Sequence, residues 1–168
     1  MSEVPFERLI EMYAGELLGY LRRLTGSRED AEDCLQEAFL RAYRAFPSLR
    51  PDSNPRAWLY TIASRVAYSH GRRAARRRHA LAGAAPLTSQ RAQSAESQAE
   101  QAELLQAVRA FVRRMPHKQR AALVMRRYQG LGYEVIGEVL GCSPEAARAS
   151  AYQALKKLRA HFAEEVSS

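Results

Sequence analysis

A run of cations follows two tyrosines near the middle of this chain, and the combination suits nucleic acid. Arg72, Arg73, Arg76, Arg77 and Arg78 form a dense positive cluster. Upstream of it, Tyr60, Thr61, Ser64 and Tyr68 fall on one face at helical spacing, with Arg65 at its border and Arg72 and Arg73 beyond. Guanidinium groups capture phosphates, and aromatic rings stack on unpaired bases. A charged run is more often just a solvated face, but this one continues a face that carries two rings. A membrane-surface helix would need a broad apolar face left free for lipid, and here that face is needed for the core. The chemistry is binding rather than catalysis, because no paired carboxylates or nucleophile constellation converge in the sequence. His70, His79, His117 and His161 are scattered, without metal-ligand spacing. Cys34 and Cys142 are read as two reduced thiols. No cofactor or metal is expected.

Two further helix faces carry unusual side chains. Between Ser27 and Phe46, the residues Ala31, Leu35, Ala38, Phe39, Ala42 and Phe46 make an apolar stripe. Opposite it lie Asp30, Asp33, Gln36, Glu37, Leu40 and Arg44. Leu40 is an apolar residue in a charged face. It is either one stray exposed leucine, which is common, or the centre of a docking face for a partner protein. Near the C-terminal end, Arg148, Ala149, Tyr152, Gln153, Lys156 and Arg159 share the outer side of a last helix. Arg, Lys and Gln are side chains that reach base edges and phosphates.

The elements that position these faces are all helical. A first helix spans about Pro5 to Leu24, with Phe6, Leu9, Ile10, Tyr13, Leu17, Tyr20, Leu21 and Leu24 inward. Ser27 with Asp30 resembles a capping box for the second, and Pro47 ends it near Ala45. Asn54-Pro55 starts a third, with Trp58, Leu59, Ile62, Ala63 and Val66 buried. Ala80 to Ser97 is low in complexity and cannot bury enough apolar surface to offset ordering entropy. Helical spacing resumes with Leu104, Val108, Phe111, Val112 and Met115. It continues over Lys118–Tyr128, with Ala121, Val124, Met125 and Tyr128 inward, and over Tyr133–Leu140. Gly141-Cys142-Ser143 is a turn before a basic helix that opens with Pro144. A short helix, a turn containing Gly and a longer basic helix are the parts of a helix-turn-helix. The expectation is an all-α chain of two small helical domains, residues 1–79 and 99–168, joined by a flexible linker over 80–98. The second domain carries the helix-turn-helix.

Bulk properties agree with an anionic partner. The 168 residues carry a formal charge of +8, and the isoelectric point is near 9.9. No apolar run approaches the about 20 residues that span a bilayer, and the N-terminus lacks a signal-peptide layout. A cytoplasmic protein is expected, with no membrane partner.

The stretch from Asp30 through Glu32, Asp33, Cys34, Leu35, Gln36, Glu37, Ala38, Phe39 and Leu40 to Ala42 resembles the most recognisable motif of bacterial extracytoplasmic-function sigma factors, in the sigma-70 family. The resemblance implies that this helix docks on core RNA polymerase through Asp30, Asp33, Gln36, Glu37, Leu40, Arg41 and Arg44. Trp58-Leu59-Tyr60-Thr61-Ile62-Ala63 resembles the part of the second conserved region that melts and reads the minus-ten element. That likeness implies DNA contact from Tyr60, Thr61, Ser64, Arg65, Tyr68, Arg72 and Arg73. Met115 to Gly141 resembles the fourth region, which binds the polymerase flap and reads the minus-thirty-five element. Arg148, Ala149, Tyr152, Gln153 and Lys156 would then face DNA. The implied function is an alternative sigma factor that binds core RNA polymerase and directs it to promoter DNA, and an anti-sigma protein is an implied partner. Arg65 and Ser69 stand where the family usually has Asn and Asp, and Ala147-Arg148-Ala149-Ser150 stands where it often has Val-Lys-Ser-Arg. Those departures keep two alternatives open. One is a sigma-mimicking adaptor that binds polymerase or an anti-sigma protein without initiating. The other is a stand-alone DNA-binding regulator.

Overall fold

The computed structural model describes residues 4–81 and 96–166, and every regular element among them is helical. Helix α1 spans Phe6–Thr25 and buries Phe6, Leu9, Leu17, Tyr20, Leu21 and Leu24. Gly26 ends it with φ 71°, and its N–H returns to the Arg22 carbonyl at 2.9 Å. Helix α2 spans Arg28–Ala45, and the Ser27 hydroxyl accepts from the Asp30 N–H at 3.3 Å. A single 3-10 turn, Phe46–Ser48, follows. Helix α3 spans Pro55–Ala80, with Asn54 Oδ1 accepting from the Ala57 N–H at 3.2 Å. The basic cluster expected beyond this helix is therefore part of it.

Helix α4 spans Glu96–Arg114, α5 His117–Arg127, α6 Tyr133–Leu140 and α7 Pro144–Val166. The α6–α7 turn is tight. A Cβ on Gly137 would lie 2.6 Å from the Cys142 carbonyl oxygen, so the turn needs glycine there. The Ser143 hydroxyl caps α7 by accepting from the Ala146 N–H at 3.1 Å. The expected linker lies mostly outside the described residues, and α4 begins slightly before the expected domain start at residue 99.

Helices α1, α2 and α3 pack on one another, as do α5, α6 and α7. The two groups also touch. Helix α6 lies on α3 and α5 on α1, so one apolar cluster runs from Leu17, Ala38 and Val66 through to Val124, Met125 and Ile136. A smaller cluster of Met115, Leu123 and Ala154 holds the C-terminal half of α4 through Phe111 and Val112.

Several inward assignments shift. Cys34 is fully buried in α2, while Leu35, Phe39 and Phe46 are only half-buried, and so is Trp58 in α3. Leu104 is exposed, because α4 packs only near its C-terminal end. Tyr128 was expected inward. It falls at the C-cap of α5, where the helix has ended, and lies exposed with the Arg23 guanidinium 4.5 Å from its ring centre.

Candidate protein and nucleic-acid interfaces

The outer face of α2 is open to solvent. Leu40 is 58% exposed, and Asp33, Gln36, Arg41 and Arg44 are exposed around it. Glu37 is half-buried and accepts from Arg41 Nε at 3.0 Å, one turn on. Asp30 Oδ1 lies 3.3 Å from His70 Nε2 of α3, which ties the start of α2 to its neighbour. Tyr43, three residues after Leu40, is also exposed, with its ring edge on Phe6 at 5.4 Å. Its i+3 spacing from Leu40 was the signal that could have placed it on this face. Cys34, beneath the face, has its thiol pushed up to about 11 by burial and then by Asp30, Asp33 and Glu37, so it stays protonated at neutral pH.

The α3 face divides into two parts. Arg65, Tyr68, Arg72 and Arg73 are exposed, and Thr61 is half-buried with its hydroxyl donating to the Ala57 carbonyl at 2.8 Å. Tyr68 lies beside Arg72, whose guanidinium is 5.7 Å from its ring centre, and beside the His117 ring at 4.9 Å. Tyr60 and Ser64, expected on the same outward face, are instead buried. The Tyr60 hydroxyl donates to Glu16 Oε2 at 2.7 Å and accepts from Gln129 Nε2 at 2.8 Å. Ser64 Oγ shares a 2.7 Å hydrogen bond with the Tyr20 hydroxyl. Helix α3 is covered from α1, α2 and α6, so it buries a wider arc than one apolar stripe.

Polar contacts reinforce this junction. Arg56 clamps Glu16 with Nη2 2.8 Å from Oε2. Gln129 Nε2 also donates to the Glu16 carbonyl at 2.9 Å. The Arg120 guanidinium, from α5, donates to the Leu24 carbonyl at 3.0 Å, satisfying an orphan acceptor at the end of α1. His117 is held down to about 4 by burial, then by the neighbouring Arg120 and Lys118 charges.

On α7, Arg148, Ala149, Tyr152, Gln153 and Lys156 are all exposed, and Arg148, Tyr152 and Lys156 follow one another at single turns. Sequence reasoning missed two residues beside them. The Tyr133 ring has the Arg126 guanidinium 4.6 Å from its centre and that of Arg148 at 5.1 Å. Among the described residues no group of His, Cys, Asp and Glu is arranged to hold a metal ion. No described helix is long and apolar enough to cross a membrane.

The two helical groups follow the division made by family comparison. The sigma-70 region 2 model matches residues 9–77, and the sigma-70, region 4 model matches residues 105–158. The RNA polymerase sigma-H factor of Pseudomonas aeruginosa is 32% identical over 157 residues, which cover 89% of this chain and 81% of that protein. The chain belongs to the sigma-70 family. The ECF RNA polymerase sigma factor EcfG of Rhodopseudomonas palustris is 32% identical over 139 residues, covering 82% of this chain and 74% of that protein, which places the sigma factor in the extracytoplasmic-function group. The fold of the sigma factor is that of RpoE from Bartonella quintana, solved in complex with the anti-sigma factor NepR. The TM-score is 0.70 at 22% identity, over 92% of this chain and 94% of that one. Helices α1–α3 are thus the region 2 part of the sigma factor, and α4–α7 include its region 4 part. It is a transcription factor and not an enzyme.

Proposed function

We propose that this sigma factor binds core RNA polymerase through the outer face of α2 and directs it to promoter DNA. The observation that carries the reading is Leu40, 58% exposed at the centre of a charged face on a helix whose other side is core. A lone exposed leucine needs no partner, but this one sits within the family motif, beside exposed Tyr43. Arg65, Tyr68, Arg72 and Arg73 would take the opened strand, and the α7 face would take the upstream element. Melting would be driven by binding energy, with captured bases offsetting the few kcal/mol, roughly, of unstacking per step. An anti-sigma protein is a proposed partner. The solved complex of RpoE with NepR supports it by analogy of fold. The site of action would be the cytoplasm.

Transcription in vitro with purified core polymerase tests this. Core enzyme alone should give no promoter-specific transcript, and adding the chain should give one. A second reading is favoured by the burial of Tyr60, held by Gln129 of the second helical group, and of Ser64, held by Tyr20. In it the chain is an adaptor that associates with polymerase without opening DNA. Co-purification with core polymerase without a transcript from any promoter would favour that reading.

A further inference from the structure

Cations crowd the seam between the two helical groups from both sides. Arg120 of α5 donates to the Leu24 carbonyl at the end of α1. Arg113 of α4 lies against Gly26, where an added Cβ would be 2.6 Å from Arg113 Cδ. Arg23 of α1 lies over the Tyr128 ring. On α3, the Tyr68 ring has Arg72 on one side and His117 on the other, and Lys118 follows His117. None of Arg23, Arg72, Arg113, Lys118 and Arg120 is in an ion pair among the described residues, and Glu16, the carboxylate of the Gln129 network, is taken up by Arg56. Titration feels the same field. Burial and then Arg113 lower Arg120, while burial and then Arg120 and Lys118 lower His117. Like charges repel, and salt screens the repulsion. What holds the seam together is uncharged: the two Gln129 amide bonds and the apolar packing of α6 on α3. The packed seam also covers part of Tyr68, which is left 45% exposed, and the part against His117 is closed to a base.

We propose that the seam is a self-repelling closure that withholds Tyr68 from single-stranded DNA, so that salt closes the chain and a captured strand opens it. This rests on the reading that Tyr68 and Arg72 take the opened strand. A strand that needs the whole Tyr68 ring binds only the open form, and its apparent affinity is reduced by the open fraction. Its phosphates also neutralise Arg72, which is exposed. Salt then weakens strand binding twice, by competing for phosphate contacts and by favouring the closed seam. A seam held by ion pairs would respond to salt in the opposite direction.

The test uses the full chain. Small-angle X-ray scattering in rising sodium chloride reads the closure, and fluorescence anisotropy with a short single strand of random sequence reads strand binding. The radius of gyration should fall as salt rises. The double variant Arg113→Gln with Lys118→Gln should already be compact at low salt and respond less. His117→Ala and Gln129→Ala, with helix content checked by circular dichroism, should each expand the chain at low salt. Each should bind the strand more tightly than the parent, by up to the inverse of the parent's open fraction, and with a shallower salt slope. Adding Tyr68→Ala should remove that gain, which mere loosening of the fold would not predict. A radius that stays constant or grows with salt would overturn the self-repelling closure. Expanded, helical variants that bind the strand no more tightly than the parent would overturn the competition for Tyr68. No strand binding by any form, together with unchanged permanganate reactivity for Tyr68→Ala in the presence of polymerase, would overturn the strand reading and the competition with it, while the scattering still decides the closure.

Discussion

The Gln129 side-chain amide donates to the Tyr60 hydroxyl at 2.8 Å, joining the turn after α5 to the N-terminal part of α3 across 69 residues of sequence. The same amide nitrogen donates to the Glu16 carbonyl at 2.9 Å. One side chain thus links the region 4 part to two helices of the region 2 part. Gln129→Ala removes both bonds and should lower stability by about 1–2 kcal/mol, since each net hydrogen bond contributes around 1. Urea unfolding measures this. A variant with the parent's midpoint and slope would remove the bridge from the forces that hold the two groups together.

Tyr60 and Tyr68 separate by the same geometry. Tyr60→Phe deletes a hydroxyl that both donates and accepts, leaving Glu16 and Gln129 short of a partner, and should cost about 1–3 kcal/mol of stability. Tyr68→Ala touches an exposed ring and should change stability little. Its effect should appear in promoter opening, where one stacked base contributes about 1–3 kcal/mol. Permanganate reactivity of promoter thymines reports the opening. Full reactivity with Tyr68→Ala would take this ring off the strand path.

Leu40→Asp should leave the fold intact, because the side chain is exposed and makes no core contact. Co-purification with core polymerase should be lost, since the new carboxylate would be desolvated at the contact without a partner. A folded variant recovered with polymerase at the parent's yield would end the docking proposal.

His117 gives a pH signature. Its folded value is lowered from 6.5 to about 4, first by burial and then by Arg120 and Lys118. Between those values the unfolded chain binds a proton that the folded chain does not, so stability falls as pH drops from about 6.5 to about 4. Below about 4 both states are protonated and this loss stops. His117→Gln should flatten that part of the profile relative to the parent. Unfolding midpoints measured on both proteins across the window show the difference, and parallel profiles would contradict it.

The seven α-helices among the described residues were legible from local signals: a cap such as Ser27 or Asn54, a stop such as Gly26, or an apolar stripe at helical spacing. The α2 and α7 faces were legible for the same reason, since a helix packed on one side leaves the opposite side to solvent. The sequence by itself therefore determined the helices, the exposed positions of Leu40, Arg148 and Tyr152, and the resemblance that led to the family. Tertiary structure alone decided what became of Tyr60 and Ser64. A stripe predicts one buried side, but α3 is covered from several directions, and part of that cover comes from Gln129 and α6, far away in sequence. It also decided that Arg126, Tyr133 and Arg148 meet. Helical periodicity relates residues within one helix, and these three stand on different helices, brought together only by how α5, α6 and α7 pack.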